Sequence, residues 1–509
     1  MNAPLRAILR NWSLLGSAQM IASLVAMATM IVVSRTLGDA EFGRLYLALT
    51  LAAIVGVVAD AGLTPVVTRA IARDRAATRP YLVRAAAIVA MLGLTLYGAL
   101  AAGTAAFGLA ADLRVLVLVF GAFVLADAYA QVLTGVFAGH ERMAVPAATR
   151  VFSNLLVFAL IAIASHGSAV AVALVLMFGA VVRAVVQLAA LGGLEGLRAA
   201  GGPPPAWRGL LRAGAPFAAS QGLGLFVVRV DVLILAYVAS DAAVGWYGAA
   251  TRLTEALNVL PIVLVTATLP VLSRLWASDP RAFAETLRRT LTCVIALAVP
   301  IAVALFLLAE DVVGTLLTLR GYANTVPILR IEALLVPFLF VDYLLVCALM
   351  ACGRERRWLA IVATACVLVP ILDFVCIVAA NDRTGNGGLG AALATLLVEL
   401  AFLAATVRSL PARTLDRGAF GAAALAASLG IVDGATLVLA RSAGVPWPVA
   451  ATLGALVYAV AALRLGLVPP DIATAIEARY RAMLRRAPAH GDDAGGVKTP
   501  EQTRSMSAP

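Results

Sequence analysis

The sequence predicts an all-α polytopic membrane protein with about fourteen transmembrane helices. We expect two six-helix lobes related by a pseudo-two-fold axis along the membrane normal, followed by two C-terminal helices. Composition, the spacing of apolar windows and the placement of arginine predict this architecture. The 509 residues are 62% hydrophobic and 13% charged, with a mean hydropathy of +0.97, whereas soluble domains are nearer half apolar and a quarter charged. Lipid must therefore be the solvent for much of the chain.

Apolar windows long enough to cross the hydrocarbon core recur along the whole chain. Gly, Pro or charged residues mark most of the joints, as expected for helix ends. The first window follows Arg6 and Arg10 and is too long for a signal-peptide core, so we expect an uncleaved helix there. The windows are 12–34, 42–66, 81–108, 114–138, 145–165, 168–192, 213–238, 243–272, 285–308, 327–352, 357–380, 386–408, 418–439 and 446–467.

The arginines predict the orientation of these helices. If the N-terminus is cytoplasmic, the inner loops carry Arg69, Arg73, Arg75, Arg79, Arg142, Arg198, Arg208, Arg212, Arg274, Arg281, Arg288, Arg289, Arg354, Arg356, Arg357, Arg408, Arg413 and Arg417, against Arg35, Arg114, Arg320, Arg383 and Arg441 in the outer loops. A missed helix would invert this positive-inside bias after the error, so an even helix number and two cytoplasmic termini are predicted. Short basic clusters between apolar windows also favour anionic lipids of the inner leaflet over nucleic acid.

A Gly- and Pro-rich inner loop divides the chain near its middle and is the expected linker. After the last window, the basic segment 472–486 can form an amphipathic helix at the inner surface, before a polar tail that we expect to be disordered. The predicted boundaries are 1–195 for the N-terminal lobe, 196–212 for the cytoplasmic linker, 213–410 for the C-terminal lobe, 411–468 for two additional helices and 469–509 for the basic helix and tail.

A weak internal repeat supports this division. Segment 39–43 (DAEFG) enters the second window, and segment 241–245 (DAAVG) enters the eighth. Gln19 and Gln221 match at the same offset. Parallel repeats of this kind are related by an axis along the membrane normal.

Several residue patterns that enzymes need are missing from the sequence. The only lysine is Lys498, in the tail, so there is no P-loop to bind nucleotide phosphates. The histidines and the five cysteines show no zinc-ligand spacing, and all the cysteines lie in apolar windows, where we expect free thiols. No predicted outer loop is long enough for the catalytic residues of a polymerase or ligase. We therefore predict a transporter, not an enzyme, with no metal site and no cofactor.

Ionisable side chains inside the windows are the candidate functional residues, because a charge at membrane depth is costly. Arg229 and Asp231 fall in the outer half of the seventh helix. Arg252, Glu255 and Asn258 fall at similar depth on one face of the eighth helix. Further charges are Asp60, Asp127, Arg183, Asp342 and Glu399. We expect a polar cavity between the lobes.

Each of these charges has a functional and a structural interpretation. The candidate substrate-binding residues are Arg183, Arg229 and Arg252, because guanidinium groups bind anions such as pyrophosphate through charge-assisted hydrogen bonds. The candidate ion-coupling residues are Asp127, Asp231 and Glu255. The structural alternative is static ion pairing, for example of Arg229 with Glu255 and of Asp231 with Arg252.

Short motifs along the whole chain resemble those of one family of membrane proteins. They are Ser34-Arg35-Thr36-Leu37-Gly38, Glu41-Phe42-Gly43, Asp60-Ala61-Gly62-Leu63, Arg69-Ala70-Ile71-Ala72-Arg73, Arg229-Val230-Asp231, Val244-Gly245-Trp246-Tyr247-Gly248-Ala249-Ala250, Arg252-Leu253 and Gly387-Gly388-Leu389-Gly390-Ala391-Ala392. With these motifs in this order, the chain resembles the polysaccharide transporters. These are the lipid-linked oligosaccharide flippases of the multidrug/oligosaccharidyl-lipid/polysaccharide exporter superfamily.

The resemblance implies a flippase that moves a polyprenyl-pyrophosphate-linked oligosaccharide to the outer leaflet of a bacterial inner membrane by alternating access. Its partners would be that glycan, membrane lipids, a proton or sodium ion, and polysaccharide-assembly proteins, with no nucleic acid. Two alternatives stay open. A lipid II flippase for peptidoglycan would share the pyrophosphate chemistry, and a cation-coupled multidrug exporter of the same superfamily would have a more apolar or acidic cavity.

Overall fold

The computed structural model describes residues 3–467 except 107, 109–110, 164–166, 195–196, 198–203, 412–413 and 416. Over these residues the protein is helical, without a strand. The helices are α1 Ala3–Leu37, α2 Asp39–Asp60, α3 Leu63–Arg73, α4 Thr78–Ala106, α5 Ala111–Gly139, α6 Ala144–Ile163, α7 Ala169–Ala190, α8 Trp207–Val238, α9 Asp241–Glu255, α10 Val259–Ser278, α11 Pro280–Leu307, α12 Ala309–Leu316, α13 Leu319–Tyr322, α14 Thr325–Ala351, α15 Glu355–Thr384, α16 Gly387–Ser409, α17 Arg417–Ser442 and α18 Trp447–Arg464.

Within the described ranges, 14 helical segments are long and apolar enough to span a membrane, which confirms the predicted number. Two of these spans are broken into pairs of helices. The second span, Asp39–Arg73, consists of α2 and α3, and the eighth, Asp241–Ser278, consists of α9 and α10. The short helices α12 and α13 occupy the loop before α14, where the sequence predicts the longest outer loop.

Several helices extend beyond their apolar windows. The helix α8 begins at Trp207, although the seventh window begins at residue 213, because its first turns are basic and hydropathy alone does not detect them. Similarly, α3 continues to Arg73 as a strongly amphipathic helix. The predicted surface helix 472–486 lies outside the described residues.

Helix packing is extensive on either side of the predicted linker. Before it, α5 packs against α2, α3, α4 and α7, while α6 packs against α1 and α7. After it, α14 packs against α9, α10, α11 and α16, while α15 packs against α8 and α16. The last two helices pack against each other and onto α11. The lobe boundaries themselves remain a prediction.

The N-terminal ends of α2 and α9 cross with their backbones in direct contact. A Cβ atom on Gly43 would lie 1.8 Å from the backbone oxygen of Asp241, and a Cβ atom on Gly245 would lie 2.0 Å from that of Asp39. The Arg44 guanidinium also pairs with the Asp241 carboxylate at 2.6 Å. We call this contact the Gly43–Gly245 crossing; only glycine permits so close an approach.

The polar contacts of α13 reinforce this crossing. The Trp246 indole N–H donates to the carboxylate of Asp39 at 2.9 Å and to the backbone oxygen of Gly321 at 2.8 Å. The Tyr322 hydroxyl donates to the backbone oxygen of Ser34 at 2.9 Å, and its ring is buried. The loop before α14 therefore ties the ends of α1, α2 and α9 together.

A second close contact joins the break between α2 and α3 to α8. A Cβ atom on Gly62 would lie 2.3 Å from the backbone oxygen of Gly214, and one on Gly214 would lie 2.3 Å from that of Ala61. Gly62 and Ala61 both have positive φ, at 68° and 48°. This left-handed turn interrupts the span, and glycine tolerates the conformation without a steric penalty.

Candidate functional site

A cavity of about 920 Å³, which we call the central cavity, lies between α2, α3 and α5 on one side and α8 and α9 on the other. Most of its wall is apolar, but it contains the charged and amide side chains of Asp60, Arg69, Asp127, Gln131, Gln221, Arg229 and Arg252. Both predicted arginines of the seventh and eighth spans thus line one cavity between the two halves of the chain. Its volume is near the upper end of the roughly 300–1,000 Å³ found for small-molecule sites.

Arg229 and Arg252 share a single carboxylate in this cavity. The Glu255 carboxylate lies 2.8 Å from Nη2 of Arg229 and 3.0 Å from Nη1 of Arg252. The Tyr46 hydroxyl accepts a hydrogen bond from Arg229 at 2.9 Å, and the Tyr46 ring lies 5.2 Å from the Arg252 guanidinium carbon. Nε of Arg252 is buried without a partner. The two arginines therefore share the Glu255 carboxylate, and Asp231 also interacts electrostatically with Arg229.

Asp231 does not pair with Arg252, contrary to the suggested structural alternative. Its carboxylate instead accepts hydrogen bonds from the Tyr247 hydroxyl and, at 2.7 Å, from the backbone N–H of Val232. It is 7% exposed and does not line the cavity. The other suggested pair, Arg229 with Glu255, is present. Asn258 lies in the short 3-10 turn that ends α9, beyond the helix that carries Arg252 and Glu255.

Asp127 and Arg183 form an ion pair within the N-terminal half. Asp127 lines the central cavity, whereas Arg183 lines two smaller cavities of about 150 and 130 Å³ beside α6 and α7. The Arg183 side chain is 12% exposed, and its Nε is buried without a partner. Arg183 is thus separated from Arg229 and Arg252, and the three candidate arginines do not form one cluster.

Arg69 supplies another charge to the cavity, on α3. Its guanidinium carbon lies 4.8 Å from the Phe217 ring centre, a cation–π contact between α3 and α8. The nearby Asp60 carboxylate accepts a hydrogen bond from Thr64 at 2.7 Å, so a local hydroxyl partners it without an arginine. The cavity therefore carries positive groups on both halves of the chain.

Sequence reasoning missed Glu332, a buried carboxylate on α14. It accepts hydrogen bonds from Thr251, at 2.8 Å, and from Thr254, both on α9. Two further missed carboxylates, Asp373 and Asp433, are each 1% exposed and each have one unpartnered oxygen. The rule that flags ionisable residues inside apolar windows applies to all three and would have found them.

This arrangement suits an anionic ligand better than a metal ion. Arginine remains protonated in proteins, so Arg229 and Arg252 keep their positive charges beside Glu255. The described residues contain no group of three or more His, Cys, Asp or Glu side chains placed to hold a metal. The geometry offers charge-assisted hydrogen bonds to phosphate-like oxygens.

Two family models match the sequence. The model described as polysaccharide biosynthesis protein matches residues 8–276, more than half of the chain. The MatE model matches residues 216–375. No curated protein matches the sequence.

Solved structures of membrane transporters share this fold. The lipid II flippase MurJ in an inward closed conformation has a TM-score of 0.68 at 12% identity, covering 89% of this chain and 98% of its own. An inward-facing multidrug resistance MATE family transporter of the MOP superfamily has a TM-score of 0.63 at 15% identity, covering 76% and 94%. A MOP superfamily transporter from Pyrococcus furiosus has a TM-score of 0.55 at 15% identity, covering 80% and 95%. At these identities the likeness concerns the fold.

Proposed function

Because the chain belongs to the polysaccharide biosynthesis protein family, in a superfamily of membrane flippases and exporters, we propose that it flips a polyprenyl-pyrophosphate-linked oligosaccharide. In this proposal the glycan moves from the inner to the outer leaflet of a bacterial cytoplasmic membrane, for surface polysaccharide biosynthesis. Both termini lie in the cytoplasm, and no covalent bond of the substrate changes. Membrane lipids and polysaccharide-assembly proteins are the expected partners.

The observation that carries this proposal is the placement of two arginines at one carboxylate, Glu255. Arg229 and Arg252 are 15% and 31% exposed and line the same cavity, yet share one carboxylate. A charge at this depth needs a partner, and a doubly negative pyrophosphate can supply it. On substrate binding, an arginine would release the Glu255 carboxylate and form a stronger bidentate contact with the pyrophosphate.

The Gly43–Gly245 crossing supports alternating access. It joins the predicted outer ends of α2 and α9, so it would close the cavity toward the outside while substrate enters from the inner leaflet. The Arg44–Asp241 ion pair and the Trp246–Asp39 hydrogen bond hold it closed, and both would break when it opens. We propose that its opening, while the Gly62–Gly214 contact stays closed, releases the glycan outward.

The substrate role of the two arginines can be separated from a structural role by measuring membrane abundance and surface glycan together. We expect Arg229→Ala and Arg252→Ala to accumulate normally but to export little glycan. Arg252→Lys should restore export only partly, because an ammonium group cannot form the bidentate contact. Arg441→Ala is the matched control, since Arg441 pairs with Asp311 at 2.5 Å outside the cavity and should be dispensable for export.

A structural role predicts a different pattern. Removing one partner of a purely structural buried pair costs about 3–5 kcal/mol, because the remaining charge is uncompensated. Abundance would then fall in proportion to export in the alanine variants. Unchanged export in Arg229→Ala, Arg252→Ala and Arg252→Lys would remove both arginines from the binding site.

A lipid II flippase is the second candidate, favoured by the likeness in fold to MurJ over 89% of this chain. Both substrates carry a polyprenyl pyrophosphate, so the arginine variants cannot distinguish them. Depletion of the protein in the cells that produce it can distinguish the two substrates. Loss of surface glycan with continued growth supports our proposal, whereas lysis with accumulated lipid II precursor supports peptidoglycan synthesis.

A further inference from the structure

A groove between α15 and α16 runs along the outside of the C-terminal half, and we call it the α15–α16 groove. It has a volume of about 410 Å³ and shares no lining residue with the central cavity. Its wall is apolar except for Arg357, Thr364 and Ser409. Large apolar side chains beside it are exposed, among them Val367 at 63% and Ile371 at 57%. In a chain that spans a membrane, such a surface faces lipid.

Small side chains on α16 create the groove. Ala401, Ala405 and Ser409 are spaced four residues apart, so they lie on one face of the helix, and all three line the groove. Although α15 and α16 pack closely along their length, these side chains are too short to fill the space beside the contact. A flexible hydrocarbon chain can occupy such a hollow.

The groove is at least as deep as one membrane leaflet. Along α15 its lining extends from Arg357 to Leu372, which is about 22 Å at the helical rise per residue. Half of a hydrocarbon core is roughly 15 Å. Since α15 begins at the predicted inner side of the membrane, the groove spans the inner leaflet, with its arginine at the inner end.

That inner end is basic. Arg354 and Arg357 donate to the same acceptor, the backbone oxygen of Ser409, at 2.6 and 3.2 Å. Neither they nor Arg356 form an ion pair with any described residue, although Glu355 lies between them in the sequence. A guanidinium carries five N–H donors, so Arg357 retains donors for an anion at the mouth of the groove.

An aromatic residue marks the level of this arginine in the membrane. Trp358 follows Arg357, and its ring centre lies 5.9 Å from that of Phe402, which lines the groove. Tryptophan is enriched at membrane–water interfaces, where lipid headgroups lie. Arg357 is therefore placed at the headgroup level, and the apolar remainder of the groove is placed at the level of the acyl chains.

Charge complementarity identifies the occupant. Basic pockets between transmembrane helices on the cytoplasmic side bind anionic lipid headgroups. The pyrophosphate of the proposed substrate would instead need Arg229 and Arg252 in the central cavity, which the groove does not reach. The occupant is thus a resident membrane lipid, distinct from the lipid that is transported.

We propose that the α15–α16 groove binds an anionic glycerophospholipid of the inner leaflet, with an acyl chain along the groove and its phosphate on Arg357. The bound lipid bridges the inner ends of α15 and α16, which pack on α8 and α14 respectively. It therefore stabilises the packing of the C-terminal half. This lipid site is separate from the proposed transport and does not depend on the identity of the glycan.

Thermal unfolding of the full-length protein, purified and delipidated in a nonionic detergent, tests the site. The midpoint is measured with added phosphatidylglycerol, phosphatidylcholine or glycerol phosphate. We expect phosphatidylglycerol to raise the midpoint by several degrees, because a ligand that binds only the folded state stabilises it. Phosphatidylcholine should raise it less, and glycerol phosphate, which lacks acyl chains, should leave it unchanged. Equal shifts with phosphatidylglycerol and either of the other two compounds would overturn the proposal.

Substitutions then assign the response to the groove. Arg357→Gln should reduce the phosphatidylglycerol shift to that of phosphatidylcholine, while Arg354 still donates to Ser409. Ala405→Leu should reduce the shift with both phospholipids, because the larger side chain fills the groove. Each variant is compared with its own lipid-free midpoint, so a general loss of stability does not imitate the expected result.

Two matched controls lie outside the groove. Arg281→Gln removes an exposed arginine from the predicted inner end of α11, and Ala404→Leu enlarges the exposed neighbour of Ala405. Both variants should respond to phosphatidylglycerol as the wild type does. A wild-type midpoint that does not respond to phosphatidylglycerol overturns the proposal, as does a response that survives both Arg357→Gln and Ala405→Leu. Neither failure affects the glycan-export tests of the central cavity.

Discussion

Asp127 and Arg183 bring opposite charges into the middle of α5 and α7. Both partners are largely buried, at 31% and 12% exposure of their side chains. Arg183 does not line the central cavity, whereas its partner Asp127 does. This position favours a structural role for the pair over direct contact of Arg183 with substrate.

We predict that Asp127→Ala lowers stability by about 3–5 kcal/mol, because it leaves the Arg183 guanidinium buried without its counterion. Abundance in the membrane and the unfolding midpoint should both fall. The double variant Asp127→Ala with Arg183→Leu should recover much of the loss, since it removes both charges. Normal abundance of Asp127→Ala with lost export would instead assign Arg183 or Asp127 to the transport cycle.

The sequence predicts which residues of this site are charged and roughly how deep they lie, but not all their partners. The depth of a residue in the membrane follows from counting residues along its helix. The sequence therefore predicts that Arg229 and Arg252 lie at similar depth. Partners depend on the rotation and packing of separate helices. Asp231 therefore pairs with Tyr247 and not with Arg252, because Tyr247 lies on the face of α9 that packs against α8 in the interior.

At the scale of helices, the two broken spans shape the cavity. The break at Ala61 and Gly62 separates α2 from α3, and the 3-10 turn Ala256–Asn258 separates α9 from α10. Hydropathy windows predict each span as continuous, because they average over about 19 residues and do not register backbone conformation. The Asp60-Ala61-Gly62 motif was visible, but only the packing against Gly214 shows why glycine is required there.

The Gly43–Gly245 crossing leads to a prediction at this scale. We expect Gly43→Ala and Gly245→Ala to disfavour the closed crossing, because each added Cβ would overlap a backbone oxygen at 1.8 or 2.0 Å. Export should fall while abundance stays close to normal. A Leu49→Cys reporter in a cysteine-free background should become more reactive toward an impermeant thiol reagent added from outside, since Leu49 lines the cavity.

The control for the crossing is Gly98→Ala. A Cβ on Gly98 meets no atom within 4 Å, so this substitution should leave export and labelling unchanged. It should even favour helix α4 slightly, by up to about 1 kcal/mol. Wild-type labelling and export in both crossing variants would show that the crossing does not gate the cavity.

For the whole molecule, the sequence predicts the class and the number of spans correctly. Fourteen spans are confirmed, and the resemblance to polysaccharide transporters is confirmed by the matching family model. These features depend on composition and on long apolar windows, which need no knowledge of packing. The orientation in the membrane stays a prediction.

Reporter fusions test that orientation. Fusions after Arg142, Leu210 and Arg357 should report the cytoplasm, and fusions after Asp241 and Arg383 should report the outside. The physical reason is the excess of arginines in the predicted inner loops, which are retained at the cytoplasmic face. One inverted site would contradict the predicted topology and would reverse the direction of transport that we propose.

The Gly43–Gly245 crossing is reciprocal, which bears on how the protein arose. Gly43 contacts Asp241, and Gly245 contacts Asp39. Gly43 and Gly245 occupy equivalent positions in the predicted repeat, as do Asp39 and Asp241, so each repeat makes the same contact with the other. Self-complementary surfaces in two-fold homodimers meet in this way. An ancestral chain of half the length, with one glycine in its second helix, would have made both contacts on dimerisation. After fusion, a bulkier residue at either position would require compensation at the other, so the two should covary among descendants.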